Sequence, residues 1–318
     1  MAGTLFLVLG LVCVIFGAGW LVDGASSLAR RLRVSDLAIG LTVVAFGTSL
    51  PELAVNIFAS IENTPAITVG NITGSNIANI LLILGISAMI FPLQTGRGTT
   101  WKEIPLALLA AALLAVMTGD VFFDHCQAGV LSRTDGLSFL GFFVIFLYYT
   151  AGIARRLPEI SDQAKENILS LGRCVSLIII GLVLLIIGGK AVVWGAVRLA
   201  QAAGISESFI AVSLVAVGTS IPELATSVVA AFRKNPDIAV GNVVGSNIFN
   251  IFFIMGVSSL IRPIQVPQEL FISIYASIAA AAILFICMFT GKRHRIDRWQ
   301  GAAMIGLYIL YLVFQARG

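Results

Sequence analysis

Two short sequence phrases, each present twice, place acidic, hydroxyl and amide side chains in an otherwise apolar chain. The first phrase reads Gly-Thr-Ser-Leu-Pro-Glu-Leu-Ala at 47–54 and Gly-Thr-Ser-Ile-Pro-Glu-Leu-Ala at 218–225. The second reads Gly-Asn-Ile-Thr-Gly-Ser-Asn-Ile-Ala-Asn at 70–79 and Gly-Asn-Val-Val-Gly-Ser-Asn-Ile-Phe-Asn at 241–250. Both phrases recur at the same offset along the chain, without an insertion between them. Such groups are costly inside apolar segments and usually serve function, so the phrases form the candidate site.

The first phrase groups oxygen atoms on one helix face. Glu52 follows Thr48 by four residues and Ser49 by three, so the three side chains share a face. Pro51 has no N–H and therefore frees a main-chain carbonyl one turn earlier. Irregular backbone of this kind survives in a membrane only where it lines a buried cavity or a water path. The second copy repeats the pattern at Thr219, Ser220, Pro222 and Glu223.

The second phrase predicts a polar stripe on a neighbouring helix. Its side chains recur at i, i+4 and i+8, which places them on one face. The stripe residues are Asn71, Ser75 and Asn79 in the first half and Asn242, Ser246 and Asn250 in the second. The glycines at 70, 74, 241 and 245 fit close helix packing. Asn76 and Asn247 lie off the stripe and fit hydrogen bonding between helices.

The chemistry of these groups favours a hard cation. Carboxylate, hydroxyl, amide and carbonyl oxygens are the ligands of Ca²⁺, whereas thiolates and imidazoles, which zinc or copper prefer, are absent from both phrases. Two carboxylates near each other inside a membrane need a positive partner. Lys190 is the basic residue well inside an apolar segment; it is equivalent to Gly19, and we expect it to reach the outer interface. The partner is therefore a mobile metal ion or protons.

The elements that must position these residues are membrane-spanning helices. The 318 residues are 58% hydrophobic and 11% charged, with a mean hydropathy of +0.99, whereas a soluble domain carries about 25% charged residues. This composition excludes a soluble protein, and the distribution of the +4 net charge indicates membrane orientation rather than nucleic-acid binding. We predict an all-α membrane protein with ten spans at about 4–29, 37–61, 66–91, 102–119, 136–154, 174–199, 208–232, 237–261, 268–290 and 299–316.

The basic residues predict which side of the membrane each loop faces. With both termini outside, the inside loops hold fifteen Lys and Arg residues and the outside loops hold four, as the positive-inside rule requires. Five spans, an odd number, separate the starts of the two halves, so the halves cross the membrane in opposite directions. We predict one five-helix repeat at 1–154, a cytoplasmic linker at 155–173 and a second, inverted repeat at 174–318. This is the architecture of secondary transporters.

The paired phrases resemble the α-repeats of the cation/calcium exchanger superfamily. The chain length is similar to that of its prokaryotic sodium/calcium exchangers, which lack a large regulatory domain. The strong match covers one stretch in each half, at 47–85 and 218–256. The resemblance implies an antiporter that exchanges Ca²⁺ for Na⁺ at one midplane site by alternating access, in which spans one and six slide across the other eight.

The resemblance also implies a set of ion ligands. Glu52 and Glu223 would bind Ca²⁺ and Na⁺ in turn. The serine of each second phrase and the residue four positions later, Ser75 with Asn79 and Ser246 with Asn250, would complete the sodium sites. Many members of the family carry Asp where this chain has Asn79 or Asn250, so the site is expected to hold two formal negative charges. The predicted metal ligands are Glu52, Glu223, Thr48, Thr219, Ser49, Ser220, Ser75, Ser246, Asn79 and Asn250.

Other functions remain open at this point. A Ca²⁺/H⁺ exchanger of the same fold fits the two asparagines, and a cation channel is a weaker alternative because channels usually use rings of symmetric subunits. We do not expect an enzyme, since Ser49 and Ser220 have no base nearby in sequence. We expect the protein to reside in the plasma (inner) membrane of a prokaryote and to act as a monomer in the lipid bilayer. We expect no cofactor besides the transported Ca²⁺ and Na⁺.

Overall fold

Helices dominate the computed structural model, which describes residues 2–120, 129–154, 169–202 and 218–315. Four strands of two or three residues connect them. The helices are α1 (Ala2–Leu32), α2 (Asp36–Thr48), α3 (Leu50–Ile61), α4 (Pro65–Ile90), α5 (Thr99–Met117), α6 (Arg133–Ala154), α7 (Leu171–Ala202), α8 (Ile221–Phe232), α9 (Pro236–Ile261), α10 (Phe271–Cys287) and α11 (Arg298–Gln315). The strands are β1 (Leu93–Gln94), β2 (Gly129–Leu131), β3 (Ile264–Val266) and β4 (Arg295–Ile296).

Seven of the described helices are long and apolar enough to cross a membrane. The bent pair α2 and α3 would be an eighth crossing. Only the end of the predicted span 208–232 is described, as the 12-residue helix α8, and α11 occupies the last predicted span. Helices thus lie in all ten predicted regions, whereas the count of ten crossings stays a prediction.

The two helices that carry the amide stripes form the centre of the molecule. In the most apolar 18-residue stretch of each helix, 78% of the residues of α4 and 94% of those of α9 are buried, compared with 33% for α1 and 28% for α7. The central helices also contain seven-residue π-helical segments, Ala78–Leu84 and Phe249–Met255, which begin at the ends of the second phrases. The polar stripes therefore lie inside the molecule, whereas α1 and α7 are mostly exposed at its surface.

Helices α1 and α7 pack against each other along a seam of glycines spaced seven residues apart. A Cβ atom on Gly17 would lie 2.8 Å from the carbonyl oxygen of Gly181, so neither position leaves room for a side chain. The seam pairs are Gly3 with Gly195, Gly10 with Gly188, and Gly17 with Gly181. Because the residue numbers rise along α1 while those of the contacting glycines in α7 fall, the two helices are antiparallel. The inverted-repeat prediction requires this relation between them.

The strands and the start of α7 add links between the halves. Leu93 in β1 pairs with Ile296 in β4, and β2 pairs with β3, both in antiparallel register. Helix α7 begins at Leu171, inside the predicted linker 155–173, because Ser170 caps it by accepting a hydrogen bond from the main-chain N–H of Arg173. The helix thus starts within the last residues of the predicted linker, and linker residues 155–168 lie outside the described residues.

Candidate cation-binding site

The first copy of the first phrase interrupts a helix shortly before Glu52, and the second copy leads directly into helix α8. The interruption lies between α2 and α3, which meet at Ser49 with a bend of 46°. Ser49 and Ser220 have nearly identical non-helical conformations, with φ of −83° and −87°. A proline in the first turn starts each following helix, as its fixed φ favours. The predicted break is confirmed for the first copy. In both copies the carboxylate lies in the first turn of a helix, at the positive end of its dipole.

Each glutamate accepts a hydrogen bond from the other half of the chain. The hydroxyl group of Ser220 donates to Oε1 of Glu52 at 3.4 Å, and the hydroxyl group of Ser49 donates to Oε1 of Glu223 at 3.1 Å. Both glutamates are fully buried, with 0% exposure. The two copies of the first phrase therefore build one site together rather than two separate sites.

The serines of the second phrase complete the surroundings of the same carboxylate oxygens. Ser75 donates to Oε1 of Glu52 at 3.5 Å, and Ser246 donates to Oε1 of Glu223 at 3.4 Å. The second carboxylate oxygen, Oε2, of each glutamate has no hydrogen-bond partner among the described residues. Buried oxygens of this kind are costly unless they bind something, so both Oε2 atoms are available to a ligand.

The threonine of each first phrase donates a hydrogen bond to the first asparagine of the stripe in the other half of the chain. Thr48 donates to Oδ1 of Asn242 at 3.0 Å, and Thr219 donates to Oδ1 of Asn71 at 3.3 Å. Each of these asparagines also donates to the main-chain carbonyl of the glutamate in its own half, at 3.3 and 3.5 Å. The hydroxyl groups of the threonines are thus used within the protein, and they hold the stripes in register with the broken helices.

Four asparagines form a reciprocal amide network between α4 and α9. Asn76 donates to the main-chain oxygen of Asn247 and the reverse bond is also present, both at 3.3 Å. Asn79 donates to Oδ1 of Asn247 at 3.0 Å, and Asn250 donates to Oδ1 of Asn76 at 2.9 Å. The expectation that Asn76 and Asn247 bond between helices is confirmed. The Oδ1 atoms of Asn79 and Asn250 remain without a partner among the described residues.

The arrangement provides oxygen ligands for a hard cation. Four buried oxygens without partners come from predicted ligands, in symmetric pairs: Oε2 of Glu52 and Glu223, and Oδ1 of Asn79 and Asn250. The described residues contain no group of three or more His, Cys, Asp or Glu side chains that could hold a metal. Two carboxylates with neutral amide, hydroxyl and carbonyl oxygens therefore define the chemistry, which suits Ca²⁺ or Na⁺ better than a transition metal.

Two supporting residues escaped the sequence analysis. Asn56 and Ser227 follow the glutamates by one helical turn and occupy equivalent positions in the two halves. Oδ1 of Asn56 accepts from Asn71 at 2.7 Å, and the hydroxyl oxygen of Ser227 accepts from Asn242 at 3.0 Å. Both are buried. Their spacing of four residues from the glutamate, repeated in both halves, was the available signal.

A cavity of about 620 Å³ lies beside this network, between α7, α3 and the start of α8. Thr219 and Pro222 line it on one side and Pro51 on another, so it adjoins both copies of the first phrase. Lys190 and Trp194 of α7 line the opposite wall. A lysine that is distant from both phrases in sequence therefore lies beside them in space, which the sequence analysis did not foresee.

Comparisons with known proteins agree with this geometry. The family model described as sodium/calcium exchanger protein matches residues 2–152 and 174–317. The chain is similar to the putative antiporter CaxA of Alkalimonas amylolytica, at 35% identity over 99% of this chain and 100% of the relative. It is also similar to the sodium/calcium exchanger MaX1 of Methanosarcina acetivorans, at 33% identity over 97% of both chains. A structure of the sodium-calcium exchanger NCX_Mj, soaked with Na⁺ and Sr²⁺, is similar with a TM-score of 0.83 and 35% identity over 98% of each chain.

Proposed function

Because the chain belongs to the sodium/calcium exchanger protein family, we propose that it is a secondary antiporter that exchanges Ca²⁺ for Na⁺ across a membrane. The observation that carries the proposal is the exchange of hydrogen bonds between the halves, by which Ser220 contacts Glu52 and Ser49 contacts Glu223. One shared site that both halves build is what alternating access needs, since the same ligands must face either side in turn.

The charge of the site explains why transport would be coupled. Two buried carboxylates neutralise one Ca²⁺. Na⁺ ions neutralise the carboxylates in turn, and the neutral oxygens of Ser75, Ser246, Asn79 and Asn250 help to coordinate those ions. An empty site would carry two uncompensated negative charges through an apolar membrane, at a cost of roughly 2.5 kcal/mol or more for each. The protein therefore changes its orientation with ions bound, and flux of one ion depends on the other.

The arrangement of the helices supports the remaining parts of the proposal. We place the chain as a monomer in the inner membrane of a prokaryote, with ten crossings in two inverted repeats and both termini outside. The antiparallel glycine seam lets α1 and α7 move as one body across the central helices, because their backbones are in direct contact. Residues 203–217, which contain the start of the seventh predicted span, lie outside the described residues.

Transport measurements on proteoliposomes test the proposed exchange. Wild-type protein should take up ⁴⁵Ca²⁺ when an outward Na⁺ gradient is imposed and not when choline replaces Na⁺. Glu52→Gln and Glu223→Gln should each lower uptake by more than about 100-fold, because each removes a charged ligand that no neighbouring residue replaces. Uptake that survives in both variants would overturn the assignment of the site.

A matched control separates the site from general effects of the substitution. Glu103 is also buried, with 2% exposure, and it accepts a hydrogen bond from Tyr149 on another helix. Glu103→Gln makes the same chemical change outside the site and should keep most of the uptake. Ca²⁺ flux that neither saturates nor depends on a counter-ion would contradict an exchanger and indicate a channel.

Exchange of Ca²⁺ for protons is the second candidate function. Asn79 and Asn250 favour it, because these amides contribute no charge and leave proton binding in the site to the two glutamates. Replacing the Na⁺ gradient by a pH gradient of equal driving force distinguishes the two exchangers. Uptake that follows the pH gradient, with Na⁺ absent from both sides, would replace Na⁺ by H⁺ as the counter-ion.

A further inference from the structure

The side-chain amides of Asn79 and Asn250 use only their nitrogen atoms within the protein. Each donates a hydrogen bond through Nδ2 to an asparagine of the other half, at 3.0 and 2.9 Å. Oδ1 of each is buried and has no partner among the described residues. Asn71 differs, because its Oδ1 accepts from Thr219 and its Nδ2 donates to Asn56. An amide binds a cation only through its oxygen, so the orientation of the amides of Asn79 and Asn250 determines whether they can be ligands.

A main-chain carbonyl fixes the orientation of Asn250 through Asn76. The amide of Asn76 lies 3.3 Å from the main-chain oxygen of Asn247. That oxygen can only accept, so Asn76 must turn Nδ2 toward it. Oδ1 of Asn76, at the other end of the amide, lies 2.9 Å from the amide of Asn250. Because this oxygen also can only accept, Asn250 must present Nδ2 to it, and a flip of Asn250 would bring two oxygens into contact.

A second pair of hydrogen bonds fixes Asn79 in the same way. The main-chain oxygen of Asn76 accepts from Nδ2 of Asn247 at 3.3 Å, and Oδ1 of Asn247 accepts from Nδ2 of Asn79 at 3.0 Å. The two pairs of bonds have no bond in common. Asn76 therefore orients Asn250 alone, and Asn247 orients Asn79 alone, each across the boundary between the halves.

The oriented oxygens belong to the helix face that contacts the glutamates. Asn79 follows Ser75 by four residues, and Ser75 donates to Oε1 of Glu52. The second half repeats this arrangement at Asn250. Both asparagines lie in the first turn of a π-helical segment, a feature that is frequent at functional sites. The orientation of each amide thus affects the ligands available beside a buried carboxylate.

We propose that Asn76 and Asn247 are positioning residues that hold the amide oxygens of Asn250 and Asn79 toward the bound cation; this rests on the proposed function. Without Asn76, the amide of Asn250 can turn and present its NH₂ group, whose partial positive charge repels a cation. The ion then loses one oxygen ligand, while both carboxylates stay in place. Residues that orient a metal ligand typically contribute about 10- to 100-fold to metal affinity.

Paired substitutions test whether Asn76 acts through Asn250. Equilibrium binding of ⁴⁵Ca²⁺ to purified protein should weaken about tenfold in Asn76→Leu. In an Asn250→Asp background, the same substitution should change the affinity by less than about twofold, because either carboxylate oxygen can bind the cation and no orientation is needed. Asn79→Asp is the matched background, since it adds the same charge at the equivalent position but leaves residue 250 an amide. There, Asn76→Leu should again weaken binding about tenfold.

The other half of the chain provides the reverse test. Asn247→Leu should weaken Ca²⁺ binding in the Asn250→Asp background and leave it nearly unchanged in the Asn79→Asp background. A residue that serves packing alone would give equal losses in both backgrounds. If the leucine variants misfold, as judged by size-exclusion chromatography, Asn76→Ala and Asn247→Ala replace them, because the smaller side chain cannot clash.

The outcomes separate this inference from the proposed exchange. Equal losses of affinity in the two aspartate backgrounds, no loss in the single variants, or misfolding of the alanine variants in every background would each overturn the inference. Na⁺-driven uptake by wild type would leave the proposed function intact in all these cases. If wild type binds Ca²⁺ but shows no exchange, the proposed function fails, and the pattern of binding affinities still decides the inference because it needs no transport. Purified wild type that binds no Ca²⁺ would overturn both.

Discussion

Between α1 and α8 the side chains close against each other, whereas between α7 and α3, the repeat-related pair, they leave a cavity of about 620 Å³. Val22 on the closed side is 1% exposed, and the equivalent Val193 lines the cavity. Arg233 at the end of α8 forms an ion pair with Asp23 of α1. The equivalent residues on the open side are Glu62 and Trp194, which cannot form such a pair.

The site between these two faces is far more symmetric than the faces themselves. Serine hydroxyl groups donate to Glu52 at 3.4 and 3.5 Å, and their repeat-related counterparts donate to Glu223 at 3.1 and 3.4 Å. A symmetric site with unequal approaches is what one of two alternating states requires. If α1 and α7 move together along their glycine seam, opening the closed face would close the open one.

Cross-linking the closed face is expected to have the largest effect. In a chain whose cysteines at 13, 126, 174 and 287 are replaced, Asp23→Cys with Arg233→Cys should react readily with a short bifunctional thiol reagent, because the native side chains are in contact. Under the proposed alternating access, covalently joining α1 to α8 would prevent the change of state. Transport of ⁴⁵Ca²⁺ in proteoliposomes should then fall to background, and it should return when a cleavable reagent is cut.

The repeat-related pair provides the control for this experiment. Glu62→Cys with Trp194→Cys places the same two thiols on the open face, where the cavity separates α7 from α3. This pair should cross-link much more slowly under the same conditions. Equal rates of cross-linking at the two pairs would mean that the faces do not differ in the membrane.

Thiol labelling at equivalent valines measures the same difference with a smaller effect. Val193→Cys lines the cavity, whereas Val22→Cys replaces a side chain that is 1% exposed. A charged, membrane-impermeant maleimide should react roughly tenfold or more faster with the first variant, because thiol reactivity depends on access. Mass spectrometry of the intact protein follows both rates without requiring transport, and faster labelling of Val22→Cys would reverse the assignment of open and closed faces.

The sequence was sufficient to predict which side chains the two halves bring together. Repetition of whole phrases at one fixed offset identified Glu52 and Glu223, and the helical period indicated which polar side chains share a face. The break at Ser49 followed from Pro51, since proline lacks the N–H group that would continue the helix. These features are local, or depend on one repeated distance, and sequence patterns describe such features well.

The difference between the two faces could not be predicted in the same way. Repeat symmetry assigns equal surroundings to Val22 and Val193, but only the tertiary positions of α1 and α7 decide which one is covered. The position of Lys190 beside the phrases could not be foreseen for a related reason, because its distance from them in sequence carries no information about a cavity formed between three helices. Asn56 was visible only through its spacing from Glu52, and its partner Asn71 required the packing of α3 on α4.

Removing the Asp23–Arg233 ion pair is expected to have the smallest effect on the difference between the two faces. Its side chains are 53% and 37% exposed, and exposed ion pairs contribute little because water and salt screen them. Asp23→Asn should therefore shift the balance between the two states by at most about fivefold. The apparent Ca²⁺ affinity on each side and the labelling rate of Val22→Cys both report this shift.

The sign of the shift distinguishes a latch from an incidental contact. If the pair stabilises the closed face, Asp23→Asn should raise the labelling rate of Val22→Cys and lower that of Val193→Cys by a similar factor, since one equilibrium governs both positions. Exchanging the charges, with Asp23→Arg and Arg233→Asp together, should restore both rates. Labelling that changes at one position alone would show that the ion pair alters local packing only, and the closure of this face would then depend on buried apolar contacts such as that of Val22.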